Sequence, residues 1–133
     1  MANTLHDISG EHRDCIPFPA VAAATASGIF ASWQAPFTAK IQLVELFFSS
    51  AITGQNTASC NFNLLDDNQS VELANVDFAA STDAAVGTAV TLYTATSPGD
   101  AVVVDDMIYL QKEKVGNGHL TPHGLMVVTY LAA

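Results

Sequence analysis

Two apolar runs of strand length in the last third of the chain, residues 107–110 and 125–131, constrain the fold most. The connector between them contains Gly116, Gly118 and Pro122, residue types that favour turns. The two runs therefore predict an antiparallel strand pair joined by a long loop. Because the second run is apolar on both faces, a free edge position would expose it to unwanted pairing. We expect it inside a sheet, with one face on the core and the other against a neighbouring subunit.

The rest of the chain from residue 29 onward is a series of short β-prone runs separated by turn residues, without a good helix. The runs cover residues 29–35, 38–50, 58–65, 71–80, 88–96 and 101–104. With the final pair they predict an all-β domain, an antiparallel β-sandwich or barrel. Glu45 interrupts an otherwise apolar row, and we expect it to face solvent or to pair with Lys40 or a cross-strand partner.

The N-terminal region lacks a clear strand or helix period. Residues 1–14 are polar, Pro17 and Pro19 withhold backbone donors, and residues 20–28 are mostly small. We therefore expect an extended N-terminal arm at residues 1–27 and a β-sandwich domain at residues 28–133.

The composition indicates one folded domain and excludes several classes of partner. Of the 133 residues, 50% are hydrophobic and 13% charged, which disfavours disorder. Thirteen Asp and Glu against four Lys and Arg give a net charge of −9, so a nucleic-acid or anionic membrane surface is not expected. No apolar run is long enough to cross a membrane, and the first residues lack the pattern of a secretion signal. We expect a protein made in a cytoplasm, with Cys15 and Cys60 unpaired.

Residues with catalytic or metal-binding chemistry are present but poorly arranged. His119 and His123 are four apart in a loop with Pro122, where helical spacing has no meaning. Two acidic turns, Asp66-Asp67-Asn68 and Asp105-Asp106, lack the spacing of a calcium loop. Motifs for an activated nucleophile or a phosphate cradle are missing from the sequence. We expect neither an enzyme nor a cofactor.

The C-terminal part of the chain resembles the jelly-roll decoration, or cement, proteins of tailed-bacteriophage heads. The residues that carry the resemblance are Asp105-Asp106 before residues 107–110, then Gly116-Asn117-Gly118, Leu120, Pro122, Gly124 and residues 125–130. The likeness extends more weakly to residues 41–56. It implies a jelly-roll-like sandwich.

The resemblance also implies a role: a homotrimer on the outer surface of a virion, bound to the major capsid protein and stabilising the shell. The subunit interface would come from the last strand, through Met126, Val128 and Tyr130 or through the opposite set Leu125, Val127 and Leu131. The arm would contact the capsid through Ile16, Phe18 and Val21.

Two other functions stay open from the sequence. A receptor- or glycan-binding module would use Trp33, Tyr93 and Tyr109 as stacking surfaces for sugars. A small-molecule enzyme would bring His119, His123 and Glu45 together in a deep pocket.

Overall fold

The computed structural model describes residues 10–95 and 106–132, and the backbone of residues 101–102. The described residues form nine β-strands and no helix. The strands are β1 Glu11–Phe18, β2 Gly28–Gln34, β3 Ala39–Phe48, β4 Cys60–Leu65, β5 Glu72–Phe78, β6 Val90–Thr94, β7 Ala101–Val102, β8 Met107–Lys114 and β9 Gly124–Ala132. The predicted all-β class is confirmed.

The strands form two antiparallel sheets that pack face to face. Sheet I has the order β1-β9-β3-β6, with the short β7 also paired to β3, and sheet II has the order β2-β8-β4-β5. The chain passes repeatedly from one sheet to the other, so that, apart from β4 and β5, the strands that pair are not consecutive in the chain. This is the strand order of a jelly roll, a sandwich of eight principal strands.

Apolar side chains from both sheets fill the space between them. At one end of the sandwich the rings of Phe48, Phe62 and Phe78 lie against one another, with centroids 5.5–6.4 Å apart. At the other end Trp33 of sheet II lies 4.9 Å from Tyr130 of sheet I, centroid to centroid. The core therefore contains aromatic contacts at both ends of the sandwich, and these contacts stabilise it there.

The last strand lies inside sheet I, as predicted. β9 pairs with β1 on one side and with β3 on the other along almost its whole length. Met126, Val128 and Tyr130 are buried in the core between the sheets. Because side chains alternate along a strand, Leu125, Val127 and Leu131 lie on the opposite face of the sheet.

The N-terminal segment differs from the expected arm. Residues 11–18 form β1, which pairs with β9 from Glu11 opposite Leu131 to Phe18 opposite Gly124. Phe18 and Val21 are buried, at 4% and 5% exposed, and Val21 forms a β-bridge with Thr121. Part of the segment expected to be an arm therefore lies in sheet I. Pro17 is compatible with β1 because an edge strand has one side without ladder hydrogen bonds.

A carboxylate in β1 connects the two sheets. Asp14 Oδ2 accepts a hydrogen bond of 2.7 Å from the indole N–H of Trp33 and one of 3.0 Å from the hydroxyl of Tyr130. Trp33 belongs to β2 in sheet II, whereas Asp14 and Tyr130 belong to sheet I. This contact, which we call the Asp14 clip, satisfies both buried donors and anchors β1 to the body of the sandwich.

Candidate interaction surface

The outer face of sheet I is apolar over much of its area. It contains the side chains that point away from the core on three neighbouring strands, and their register places them side by side. The apolar members are Cys15 and Pro17 of β1, Leu43 and Phe47 of β3, and Leu125, Val127 and Leu131 of β9. We call this surface the apolar face. Leu125 is its most exposed large member, with 41% of its surface accessible.

The charges on the apolar face balance one another. Glu45, 14% exposed at its side chain, lies 3.7 Å from the guanidinium of Arg13. Arg13 Nε also donates a 3.5 Å hydrogen bond to Thr129 Oγ1. Glu11 and Lys40 flank Leu131 in the same register row. A chain with a net charge of −9 therefore presents a neutral face at sheet I.

The outer face of sheet II has a different character. Asn61 donates a 2.9 Å hydrogen bond to Glu113, and Asn63 donates to both Gln111 and Glu113 at 2.9 and 3.1 Å. Asp77 lies opposite Asn61 on the neighbouring strand β5. Polar and acidic side chains make this face compatible with water, so the apolar face is the stronger candidate for a protein contact.

A groove of about 340 Å³ lies where the apolar face meets one end of the sandwich. Its lining residues are Pro17, Phe18, Phe47, Phe48, Ser49, His123, Gly124 and Leu125. A Cβ on Gly124 would clash with the carbonyl oxygen of Phe47 and with the ring of Phe18. Glycine at this position therefore lets β9 begin close to β3. We call this end of the molecule the groove end.

Ser49 and His123 form the polar rim of the groove. Ser49 Oγ lies 3.1 Å from His123 Nδ1, and the backbone N–H of Ser49 donates a 2.9 Å hydrogen bond to the carbonyl of His123. Both residues are exposed. The two contacts hold the backbone in place just before β9 begins. The pair therefore positions the wall of the groove.

Exposed apolar side chains gather at the groove end. Five large apolar residues are exposed in the described part of the chain, and three of them, Val86, Leu120 and Leu125, lie near the groove. Leu125 lines it, Leu120 precedes His123 by three residues, and Val86 precedes Gly87, whose N–H donates to the carbonyl of Phe48. The other two, Val71 and Leu73, are near the start of β5 at the opposite end.

The predicted interface and arm residues are separated by the fold. Met126, Val128 and Tyr130 fill the core of a single chain, so they are not available to a second subunit. The same holds for the predicted capsid contacts Phe18 and Val21, while Ile16 is partly buried against the core. The remaining predicted interface residues lie on the apolar face, where Leu125 is exposed, Leu131 is half-buried and Val127 is only 7% exposed.

Leu43 and Phe47 extend the apolar face but were not predicted as part of it. They alternate with the buried Val44, Leu46 and Phe48 in β3, and Glu45 lies between them on the same face. Both alternating sets of this run contain apolar residues, so the sequence alone leaves the outward set undefined. The neighbouring Leu125 and Phe47 pair in the register and show which set faces out.

The aromatic residues proposed for sugar stacking do not form a common surface. Trp33 is 4% exposed and its N–H is used by the Asp14 clip. Tyr93 packs against the core from β6 in sheet I, whereas Tyr109 belongs to β8 in sheet II. A stacking platform built from these three residues is therefore excluded.

The residues proposed for an enzyme pocket are likewise apart. His123 lines the groove, but Glu45 is paired with Arg13 and the imidazole of His119 lies 2.7 Å from the carbonyl of Leu120. Within the described residues no group of three or more His, Cys, Asp or Glu side chains is placed to hold a metal. Of the two acidic turns weighed as calcium sites, the first uses Asp66 as an acceptor of hydrogen bonds from the backbone N–H groups of residues 70 and 71. Asp105 of the second turn lies outside the described residues.

The two cysteines are free, as predicted. Cys15 is exposed on the apolar face, and Cys60 is buried in the core. Burial raises the pKa of the Cys60 thiol to about 12, so the buried group stays protonated at neutral pH.

Comparisons with known proteins give no relative for this chain. No family model matches it, and neither a curated protein nor a solved structure shows significant similarity. Among the described residues, no helix is suited to cross a membrane.

Proposed function

We propose that this protein is a structural subunit of a virion, a decoration protein that assembles as a homotrimer and binds the outer surface of a bacteriophage head. The neutral, apolar face of sheet I is the observation that carries the proposal. The jelly-roll strand order and the resemblance of the C-terminal motifs support it. The protein acts by adding buried contacts between capsid subunits.

Burial of the apolar face supplies the driving force for assembly. Removing apolar surface from water contributes roughly 25 cal/mol per Å², before the costs of association are subtracted. The paired Arg13 and Glu45 bring no net charge to the contact. Two acidic chains therefore meet with least repulsion through this face.

Replacement of Leu125 by arginine tests the assembly. Leu125 is 41% exposed and its side chain lies outside the core, so Leu125→Arg is expected to fold normally. A charge on the apolar face loses its solvation when a second subunit covers it, so we expect the trimer to dissociate to single chains. Light scattering coupled to size-exclusion chromatography measures the mass. Leu73→Arg is the matched control, because Leu73 is 42% exposed in sheet II, and its mass should stay that of the wild type.

Capsid binding is tested with emptied phage heads. Wild-type protein is expected to sediment with heads and to raise their resistance to heat, and Leu125→Arg is expected to bind less. Negative-stain imaging of the mixture then locates the protein on the shell. A wild-type protein that is monomeric at micromolar concentration and leaves all heads undecorated would contradict the proposal.

A further inference from the structure

We propose that the outer face of sheet II binds a divalent cation, with calcium as the best match. The site lies between β4 and β5, and its ligands are the side-chain oxygens of Asn61, Asn63 and Asp77. Carboxylate and amide oxygens are the ligands that calcium prefers. The inference does not depend on the proposed function, because the site and the apolar face belong to different sheets.

Two buried amide oxygens on this face lack a partner. Oδ1 of Asn61 and Oδ1 of Asn63 are both closed to solvent and accept no hydrogen bond from the described residues. Asn63 is only 4% exposed, although it alternates with the core residues Phe62 and Leu64 and so lies on the outer side of β4. A buried acceptor without a donor costs free energy, and each such group requires an explanation.

The two amides cannot turn over to remove this deficit. The side-chain nitrogens of Asn61 and Asn63 donate hydrogen bonds of 2.9 and 3.1 Å to the same oxygen, Oε2 of Glu113. Asn63 also donates to Gln111 Oε1 at 2.9 Å. An ionised carboxylate accepts but does not donate, so a rotated amide would place two acceptors against each other. Glu113 therefore holds both nitrogens towards β8, and the two oxygens lie on the sides of their amides away from that carboxylate.

The strand on the other side of β4 supplies the charged ligand. In the register of β5, Asp77 lies opposite Asn61 and Asn75 lies opposite Asn63, and both residues of β5 are exposed. Side chains directly opposite each other in an antiparallel pair are close enough to interact. The row formed by Glu113, Asn61 and Asp77 contains two carboxylates and no basic side chain. Its charge therefore attracts a cation.

A metal ion fits the orphan oxygens better than a hydroxyl or an amino group. A calcium–oxygen bond is roughly 2.3–2.6 Å long, whereas the distance across a hydrogen bond is roughly 2.7–3.2 Å. Because the oxygens of Asn61 and Asn63 are closed to water, the shorter contact is the one that suits them. The site uses a single acidic ligand, which is consistent with the lack of a cluster of His, Cys, Asp or Glu among the described residues.

Calorimetric titration of the full-length protein with calcium chloride tests the site. A single charged ligand predicts weak binding, with a dissociation constant on the order of 10⁻⁴–10⁻³ M. Asp77→Asn removes that charge and is expected to raise the dissociation constant about tenfold or more. Glu72→Gln is the matched control, because it also removes one exposed carboxylate from β5, and its affinity should stay that of the wild type.

Paramagnetic manganese locates the bound ion in the wild-type protein. Mn²⁺ broadens the NMR signals of nearby groups, so a titration should broaden the side-chain amide signals of Asn61 and Asn63 first. The side-chain amide of Gln42, in β3 of sheet I, should stay sharp at the same concentration. A wild type that binds no calcium, equal binding by Asp77→Asn, or broadening centred on another part of the molecule would overturn the inference.

Discussion

Lys112 is the most unusual residue of the core. It follows Ile108 and Leu110 on the inward side of β8, lies opposite Phe62 in the register, and is 0% exposed. Its Nζ has no hydrogen-bond partner among the described residues. The long methylene stem extends the apolar row, but the amino group is removed from water without compensation.

The burial of Lys112 predicts a stabilising substitution. Lys112→Met keeps the length of the side chain and removes the unpartnered amino group, so we expect the free energy of unfolding to rise by roughly 1–3 kcal/mol. Urea denaturation measures the change. Lys114→Met, at an exposed position two residues further along β8, is the control and should change little. A loss of stability in Lys112→Met would show that the amino group has a favourable role.

At the scale of elements, β1 is an integral part of sheet I. Without it, β9 would have a free edge along residues 124–131. The Asp14 clip adds a second attachment, because its carboxylate accepts from one donor in each sheet. β1 therefore joins the sheets as well as covering the edge of β9.

Removal of the Asp14 carboxylate is expected to weaken the sandwich. Asp14→Ala leaves the N–H of Trp33 and the hydroxyl of Tyr130 without their acceptor, at a cost of about 2–4 kcal/mol in the free energy of unfolding. Asp14→Asn retains one oxygen acceptor and should lose less. Urea midpoints of the two variants give the comparison, and equal stability of Asp14→Ala and wild type would contradict the role of the clip.

The difference between the expected arm and β1 has a physical origin. The run at residues 125–131, which is apolar on both faces, is sufficient to predict an internal strand, and the turns between the β-prone runs are sufficient to predict a sandwich. Pro17, Pro19 and the small residues after them look locally like a free segment. β1 forms through pairing with β9, more than a hundred residues away, and a single sequence does not reveal that register.

The candidate site was only partly predictable for a related reason. Residues 125–128 and 130–131 were all recognised as apolar, but their distribution between core and surface depends on which face of β9 meets sheet II. The groove also depends on close approach of β3 to Gly124, which brings together Phe47 and Leu125. Contacts of this kind arise from tertiary packing.

The whole molecule is expected to lose stability in alkali. Burial raises the pKa of Cys60 from 9.0 to about 12. Burial and the hydrogen bond to Asp14 raise the pKa of Tyr130 from 10.0 to about 12. Because the unfolded chain releases these protons first, stability is intact below pH 9 and falls as the pH rises from about 9 to about 12.

Denaturant midpoints measured across this pH range test the linkage. Cys60→Ala should flatten the loss of stability that begins near pH 9, where the Cys60 thiol of the unfolded chain starts to lose its proton. Tyr130→Phe should flatten the further loss that begins near pH 10, where the Tyr130 hydroxyl of the unfolded chain does the same. The same variants at neutral pH provide the reference for any loss of packing. An unchanged pH profile in both variants would contradict the assignment.

The pairing of Glu11 with Leu131 brings the outer ends of β1 and β9 side by side, at the end of the sandwich opposite the groove. A fluorescent domain or peptide epitope genetically joined near either position would project away from Leu120 and the groove. A cargo domain inserted at this end of the sandwich would therefore leave Leu120 and the groove uncovered.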